Sequence, residues 1–349
     1  MPIRFVDLFS GAGGLSHGFI DAGFECVYAN EIDPIFCKTF KKNHPEVIVD
    51  NQDINKMDIQ ATFKDVKNIH LVVGGPPCQG FSQKGNRMGV SDERNFLFKK
   101  FVEVVKVLNP EFFLMENVPN LISSNKGFFF NEIKKEFEVL GYEIESSILN
   151  SYDYGVPQKR RRAFIVGNRV KKKFKFPKIL LKKCSVNEAI SDLPKLESGQ
   201  GEYFMNYKDG SNSSYQKTMR RGSDGIFNHV ATNHSADALE KLSLIPPLGD
   251  KSDLPSQLRT RSIYSGTWSR IDPEGPSRTI TTRFDTPSSG QFTLNDQDRC
   301  LTVREAARLQ SFPDKFIFCG TKTSQMKQVG NAVPPLLAKE IAKEIFKLF

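Results

Sequence analysis

None of the six cysteines in this chain of 349 residues (Cys26, Cys37, Cys78, Cys184, Cys300 and Cys319) forms a C-x-x-C pair, which excludes the usual ligand spacing of a structural zinc site. The histidines show no metal spacing either, so no metal is expected. No apolar run approaches the about 20 residues that a membrane span needs. The start, Met1-Pro2-Ile3-Arg4-Phe5, carries no signal-peptide apolar core. Free thiols in a reducing cytoplasm, with no membrane partner, are the simplest reading. The glycine-rich turn near the start is not G-x-G-x-x-G and has no Lys-Ser/Thr pair, so dinucleotide and ATP use are disfavoured. Tryptophan occurs once, at Trp268, read as packing; repeats and low-complexity tracts do not occur.

What is present is apolar and basic. Hydrophobic residues make up 39% and Phe numbers 29, enough for a sizeable core. The length suggests a large domain with a smaller one. A net charge of +9 favours an anionic partner, nucleic acid first, although solubility alone also accounts for it.

The chain is organised around Gly74-Gly75-Pro76-Pro77-Cys78-Gln79-Gly80-Phe81-Ser82. It follows Ile69-His70-Leu71-Val72-Val73, which reads as a buried parallel strand. Ligands of open α/β sheets bind beyond the carboxyl ends of their strands, so Cys78 stands where chemistry is expected. Taken alone, a free cysteine reads as a small hydrophobe. Residues 82–94 are polar and read as a lid.

Residues 3–9 read as a first strand, turned by Ser10-Gly11-Ala12-Gly13-Gly14 into a helix with Leu15 and Phe19 inward. Residues 26–30 read as a second strand ending at Glu31, placed to accept from a ribose diol. Val47-Ile48-Val49 leads to Asp53, placed for an adenine amino group. Singly, each acid reads first as a solvated loop carboxylate. A helix with Leu97, Phe101, Val104, Val105 and Leu108 on one face precedes a fifth strand, Phe112-Phe113-Leu114-Met115, which ends in Glu116-Asn117-Val118-Pro119. Strands over 144–149 and 163–166 are close enough to pair. Gln158-Lys159-Arg160-Arg161-Arg162 lies between them, with Arg160 and Arg162 on one side.

Lysines crowd 171–183, compatible equally with a phosphate-tracking strip and a solvated linker. Ser185 and Thr302 each open a capping box. Residues 197–269 resist assignment, and His229 and His234 there read as surface residues. Residues 278–282 read as a β-branched strand, and 328–335 as a tight turn before a last helix striped with Leu337, Ile341, Ile345 and Leu348.

Taken together, Asp7-Leu8-Phe9-Ser10-Gly11-Ala12-Gly13-Gly14, Pro76-Pro77-Cys78-Gln79-Gly80-Phe81-Ser82, Glu116-Asn117-Val118, Gln158-Lys159-Arg160-Arg161-Arg162, the 302–313 region and Gly330-Asn331-Ala332-Val333-Pro334-Pro335 resemble, in order, the DNA cytosine-5 methyltransferases of the bacterial modification type. The resemblance implies an α/β fold: a Rossmann-like S-adenosylmethionine-dependent methyltransferase sheet with helices on both faces, plus a smaller, irregular target-recognition domain. It places the catalytic, cofactor-binding domain at 1–170 and 322–349 and the target-recognition domain at 171–321. It implies that Phe9, Gly11, Gly13 and Leu15 line the methionine end of S-adenosylmethionine, Glu31 and Ile32 the ribose side, and Asp53 and Ile54 the adenine. Pro76, Leu97, Asn331 and Ala332 would close that pocket.

The implied chemistry starts from the inertness of cytosine carbon 5. A Cys78 thiolate adding at carbon 6 makes an enamine. Glu116 would serve ring nitrogen 3, Arg162 the exocyclic oxygen, and Arg160 the thiolate. The base must first leave the duplex. Double-stranded DNA is the implied partner, with a restriction endonuclease for the same site possible but in no stable complex, and a monomer is expected. Two other readings stay open: a tRNA cytosine-5 methyltransferase, and a DNA-binding regulator without turnover.

Overall fold

The computed structural model describes residues 2–77, 96–123, 127–170, 172–208, 210–260 and 265–349. Cys78 and the expected lid at 82–94 lie outside the described residues. The chain divides into two packed units, Met1–Ser151 with Arg161–Ile179 and Pro335–Phe349, and Tyr152–Arg160 with Leu180–Pro334.

The first unit runs β1 (Ile3–Leu8), α1 (Gly14–Asp21), β2 (Phe24–Asn30), α2 (Pro34–Asn43), β3 (Ile48–Asp50), α3 (Ile59–Phe63), β4 (Leu71–Gly74), α4 (Phe96–Leu108), β5 (Phe112–Asn117), α5 (Asn120–Ser123), α6 (Phe128–Val139), β6 (Glu143–Asn150) and β7 (Arg161–Asn168). Its seven-stranded sheet has the order β3-β2-β1-β4-β5-β7-β6. β7 is antiparallel to β5 and β6, and the remaining pairs are parallel. Phe5, Val6 and Leu8, Leu71 to Val73 and Phe112 to Leu114 are fully buried. Both faces of the central strands are therefore covered, which is why they read as continuous apolar runs. The strand order reverses between β1 and β4, and at such a switch point a crevice opens beyond the carboxyl ends.

The second unit carries α7 (Val186–Ile190), β8 (Gly201–Met205), α8 (Ser214–Arg220), β9 (Ile226–Val230), α9 (Ala236–Ser243), α10 (Val303–Leu309) and α11 (Lys322–Asn331). β8 and β9 form its two-stranded antiparallel sheet. The chain then returns to the first unit as α12 (Pro335–Phe346). Leu337, Ile341 and Ile345 of the expected stripe are fully buried there. α12 lies so close to α1 that a Cβ on Gly18 would stand 2.4 Å from the Pro335 carbonyl oxygen and 2.5 Å from the Ala338 Cβ.

Both expected capping boxes form, at Ser185 with Glu188 and at Thr302 with Glu305. Three expectations are corrected. The 278–282 segment is not a strand of a sheet: beside it stands one isolated bridge, Gln158 with Ser277, and the Gln158 side chain takes the place of a ladder by accepting from Ile280 N at 2.8 Å. Residues 328–331 are the last turn of α11 rather than an open turn. Residues 322–334 pack with the second unit, and Pro335–Phe349 with the first. His229 and His234 are buried: His229 bonds Thr302 Oγ1 at 2.9 Å and the Pro194 carbonyl at 2.8 Å, and His234 Nε2 accepts from Cys300 N.

Arg299 makes two bonds to Glu305, at 2.9 and 2.8 Å, with both groups buried. Burial pushes the Glu305 carboxyl up, but the guanidinium outweighs it and holds the group at about 2.

Gly18→Ala should destabilise the protein by about 1–3 kcal/mol, because backbone rather than a flexible side chain blocks the new methyl; an unchanged melting temperature would show that the two helices can part freely. A carboxyl depressed on folding contributes stability above its unfolded value of about 4.3, lost as pH falls toward the folded value. Acid titration of the native protein should therefore show stability falling below about pH 4, and Glu305→Gln should flatten that limb of the curve. An identical acid limb in the variant would mean that this ion pair does not set it.

Candidate active site

The carboxyl ends of β1, β4 and β5 come level, because Leu8 pairs with Gly74 and Gly74 with Met115. Three loops therefore leave the sheet side by side. The first begins at Phe9, whose φ of 56° is left-handed, a conformation that bulky residues rarely adopt outside functional turns. Gly11 follows at φ 57°, and among the described residues a Cβ on it would meet nothing within 4 Å. The space beside this turn is open to a ligand. Gly13, by contrast, backs onto the Phe40 ring, which leaves no room for a side chain. Leu15 is buried in α1.

Glu31 closes the neighbouring strand end. Its Oε2 accepts from Gly11 N at 2.8 Å and its Oε1 from Asp33 N at 2.9 Å. Burial pushes its carboxyl above the ordinary range, against the pull of the Asp33 and Gly11 amides. A carboxylate has about four lone-pair sites, so each oxygen keeps capacity for a hydroxyl. Asn51 Nδ2 donates to the Glu31 and Ile32 carbonyls at 3.0 and 2.8 Å, fixing this loop. The Ile32 side chain is 63% exposed, whereas Ile54 is 3% exposed and part of the main core. Ile54 thus has only backbone to offer a ligand. Asp53 Oδ1 accepts from Asn55 N at 3.0 Å.

Sequence reasoning assigned no role to Asp7. It is buried on β1, accepts from Ser16 Oγ at 2.6 Å, and burial raises its carboxyl to about 7. A lone acid within an apolar strand is the signal that was available.

The second loop, Gly75-Pro76-Pro77, is pinned to the third: Asn117 Nδ2 donates to the Pro76 carbonyl at 2.9 Å. Cys78 is the next residue but one after Pro77's neighbour Pro76 in the chain. A Cβ on Gly75 would lie 3.0 Å from Glu116 Oε2, so the glycine leaves space for that carboxylate. Glu116 Oε1 pairs with Arg162 Nε at 2.9 Å, both side chains largely buried. β7 delivers Arg162 to this place because Asn117 pairs with Ala163 across the antiparallel ladder. Leu97, on α4, packs partly buried against the same core.

Arg160 is placed differently from Arg162. It belongs to the second unit, is fully buried, and donates to the Ile280 and Gly330 carbonyls at 3.1 and 2.8 Å. Cys78, whose thiol Arg160 is expected to flank, lies outside the described residues. Asn331 and Ala332 also belong to the second unit, Asn331 exposed and Ala332 half-buried at the end of α11. Among the described residues no group of three or more His, Cys, Asp or Glu is placed to hold a metal ion, and no helix is long and apolar enough to cross a membrane.

Comparison with known proteins agrees with this geometry. The chain is 40% identical to the type II methyltransferase M1.HphI of Haemophilus parahaemolyticus, covering all of this chain and 88% of that one. It is 37% identical to M.DdeI of Desulfomicrobium norvegicum, over 98% of this chain and 88% of that one. A crystal structure described as a DNA modification methyltransferase encoded within an E. coli prophage superposes with a TM-score of 0.81 at 29% identity, covering 99% of both chains. The Entamoeba histolytica methyltransferase EhMeth shares the fold, with a TM-score of 0.65 at 15% identity over 99% of this chain and 98% of that one. The family model for C-5 cytosine-specific DNA methylases matches residues 3–347. The chain belongs to that family and is a DNA (cytosine-5-)-methyltransferase.

Proposed function

We propose that this methyltransferase acts on a cytosine swung out of a short, specific duplex DNA sequence, through a covalent adduct with Cys78. The observation that carries this reading is the Glu116–Arg162 pair, 2.9 Å apart and beside the Gly75-Pro76-Pro77 loop that leads directly to Cys78. A carboxyl and a guanidinium side by side match adjacent positions on the cytosine edge, ring nitrogen 3 and the exocyclic oxygen.

Addition of the Cys78 thiolate at carbon 6 breaks the 5,6 double bond and puts electron density on carbon 5 and on the ring's nitrogen-oxygen edge. Glu116 holds a proton or hydrogen bond at nitrogen 3, and Arg162 donates to the oxygen. Loss of the carbon-5 proton after transfer expels the thiolate and restores the ring. Extrusion of the base costs a few kcal/mol, regained through these contacts.

The family's methyl donor, S-adenosylmethionine, supplies an electrophilic methyl group when bound. The open space beside Gly11 and the spare acceptor capacity of Glu31 fit such a ligand. In this reading Phe9, Gly11, Gly13 and Leu15 shape the methionine end, Glu31 and Ile32 hold the ribose, and Asp53 with the Ile54 backbone serves the adenine. Pro76, Leu97, Asn331 and Ala332 complete the donor's set of contacts. Kinship with type II methyltransferases over nearly the whole chain supports a place in a restriction-modification system, where methylation protects host DNA from an endonuclease of the same specificity.

Cys78→Ala should abolish methyl transfer to duplex DNA while leaving donor affinity within a few-fold; appreciable turnover of labelled S-adenosylmethionine in this variant would identify the wrong nucleophile. Glu116→Gln should slow the chemical step by about 10²–10⁴-fold in a single-turnover assay, and a near-native rate would remove the carboxyl from the mechanism. The same assay with tRNA in place of DNA should give no product; preferential labelling of tRNA would replace the proposed substrate.

A further inference from the structure

Two asparagines lace together the loops that follow β2 and β3. The parallel ladder of these strands reaches Asn30 and Asp50, where Glu31 N donates to the Asp50 carbonyl at 3.1 Å. Side chains continue where the ladder ends. Asn30 Nδ2 donates across to the Asp50 and Gln52 carbonyls at 3.3 and 3.0 Å. Asn51 Nδ2 donates back to the Glu31 and Ile32 carbonyls at 3.0 and 2.8 Å. A carboxamide nitrogen has two donors, so each asparagine spends both on the opposite loop. Tyr28 adds a bond from its hydroxyl to the Asp50 carboxylate, and Cys37 Sγ one to the Glu31 carbonyl at 3.2 Å. Asn30 is buried, whereas Asn51 is exposed. All of these residues belong to the first unit.

We infer that Asn30 and Asn51 are positioning residues that set the spacing of Glu31 and Asp53, and with it recognition of the donor's nucleoside. The inference rests on the ribose and adenine roles proposed above for those two acids. Adenosine is a stiff ligand, a ribose and a ring joined by one rotatable bond. Its diol and its amino group can be met together only if the two loops keep one separation. Glu31 is tied to the Gly11 and Asp33 amides, and Asp53 to its own turn through Asn55 N and Lys56 N. The asparagines relate one loop to the other. Neither touches the reacting atoms. Packing does not account for Asn51, because removing an exposed side chain leaves no cavity, yet both of its donors are engaged.

The test uses the full-length protein and two probes in titration calorimetry: S-adenosylhomocysteine, and S-inosylhomocysteine, which carries an oxygen where adenine carries its amino group. The native protein should prefer the adenine probe by about tenfold or more, as one hydrogen bond to a carboxylate implies. Asn51→Ala should weaken S-adenosylhomocysteine about tenfold and shrink that preference to about threefold or less. Asn51→Asp, which keeps the shape but offers no donor, should do at least as much harm. The kcat on duplex DNA at saturating donor should stay within about threefold of native while the KM for the donor rises. Asn30→Leu carries the same expectation; should it fail to fold, the exposed Asn51 still decides. Native affinity and preference in both Asn51 variants, with only the melting temperature lowered, would make the clasp purely structural. Native affinity with a collapsed kcat would place Asn51 in the chemistry. Either result overturns the inference. Asp53→Ala separates the two levels of the claim. If it loses the preference while the Asn51 variants keep it, the positioning role fails and the adenine site stands. If it keeps both affinity and preference, the adenine role of Asp53 fails and the inference falls with it.

Discussion

The level register of β1, β4 and β5 is the constraint on which everything else in the first unit depends. Side chains alternate across a strand, so slipping one strand by a single residue would exchange Glu116 with Asn117. Asn117 would then lose the Pro76 carbonyl, and Glu116 would leave both Gly75 and Arg162. Register in a parallel sheet is set by burial on both faces, and the buried runs at Phe5 to Leu8, Leu71 to Val73 and Phe112 to Met115 supply it. The site is accurate because the strands beneath it are apolar.

Burial on both faces also decides which features were legible in the sequence. Parallel strands announce themselves as uninterrupted apolar runs, and capping boxes are local, so β1, β4, β5 and the starts of α7 and α10 could be read directly. Glu116 and Glu31 were legible as acids at strand ends. Features that depend on distant partners were not. Residues 278–282 have the composition of a strand, yet their partner is the side chain of Gln158, some 120 positions earlier. His229 and His234 look like surface residues in a polar stretch, and only the fold brings Thr302, Pro194 and Cys300 against them. Arg160 and Arg162 share a side of one extended segment by alternation, but that spacing gives no sign that the chain passes from one unit to the other between Arg160 and Arg161.

Arginine has a structural task in the second unit that follows from its poverty of regular structure. Its one named sheet among the described residues has two strands, so many irregular segments carry carbonyls without ladder partners. Arg270 donates to the Ile245, Leu294, Gln297 and Leu242 carbonyls, and Arg304 to those of Phe227, Pro313 and Phe316. Arg308 joins the Ala189 carbonyl to Asp192 and Asp314. Five donors and no acceptor make this side chain a substitute for missing secondary structure.

That assignment changes what the net charge of +9 means for DNA binding. Arg270, Arg299 and Arg308 have carboxylate partners at Asp298, Glu305 and the Asp192 and Asp314 pair, so their charge is cancelled within the unit. The excess must therefore reside in groups without such a match. The lysine-rich stretch beyond β7 is built to display it: Phe174 and Pro177 are buried, with Phe174 edge-on to Phe176, while Lys173, Lys175 and Lys178 are exposed. Exposed lysines are hydrated point charges that gain affinity by releasing counterions from phosphates, without regard to sequence. Buried arginines hold the irregular unit in shape while the lysines after β7 stay exposed, so the two kinds of basic residue are placed differently under a single sum.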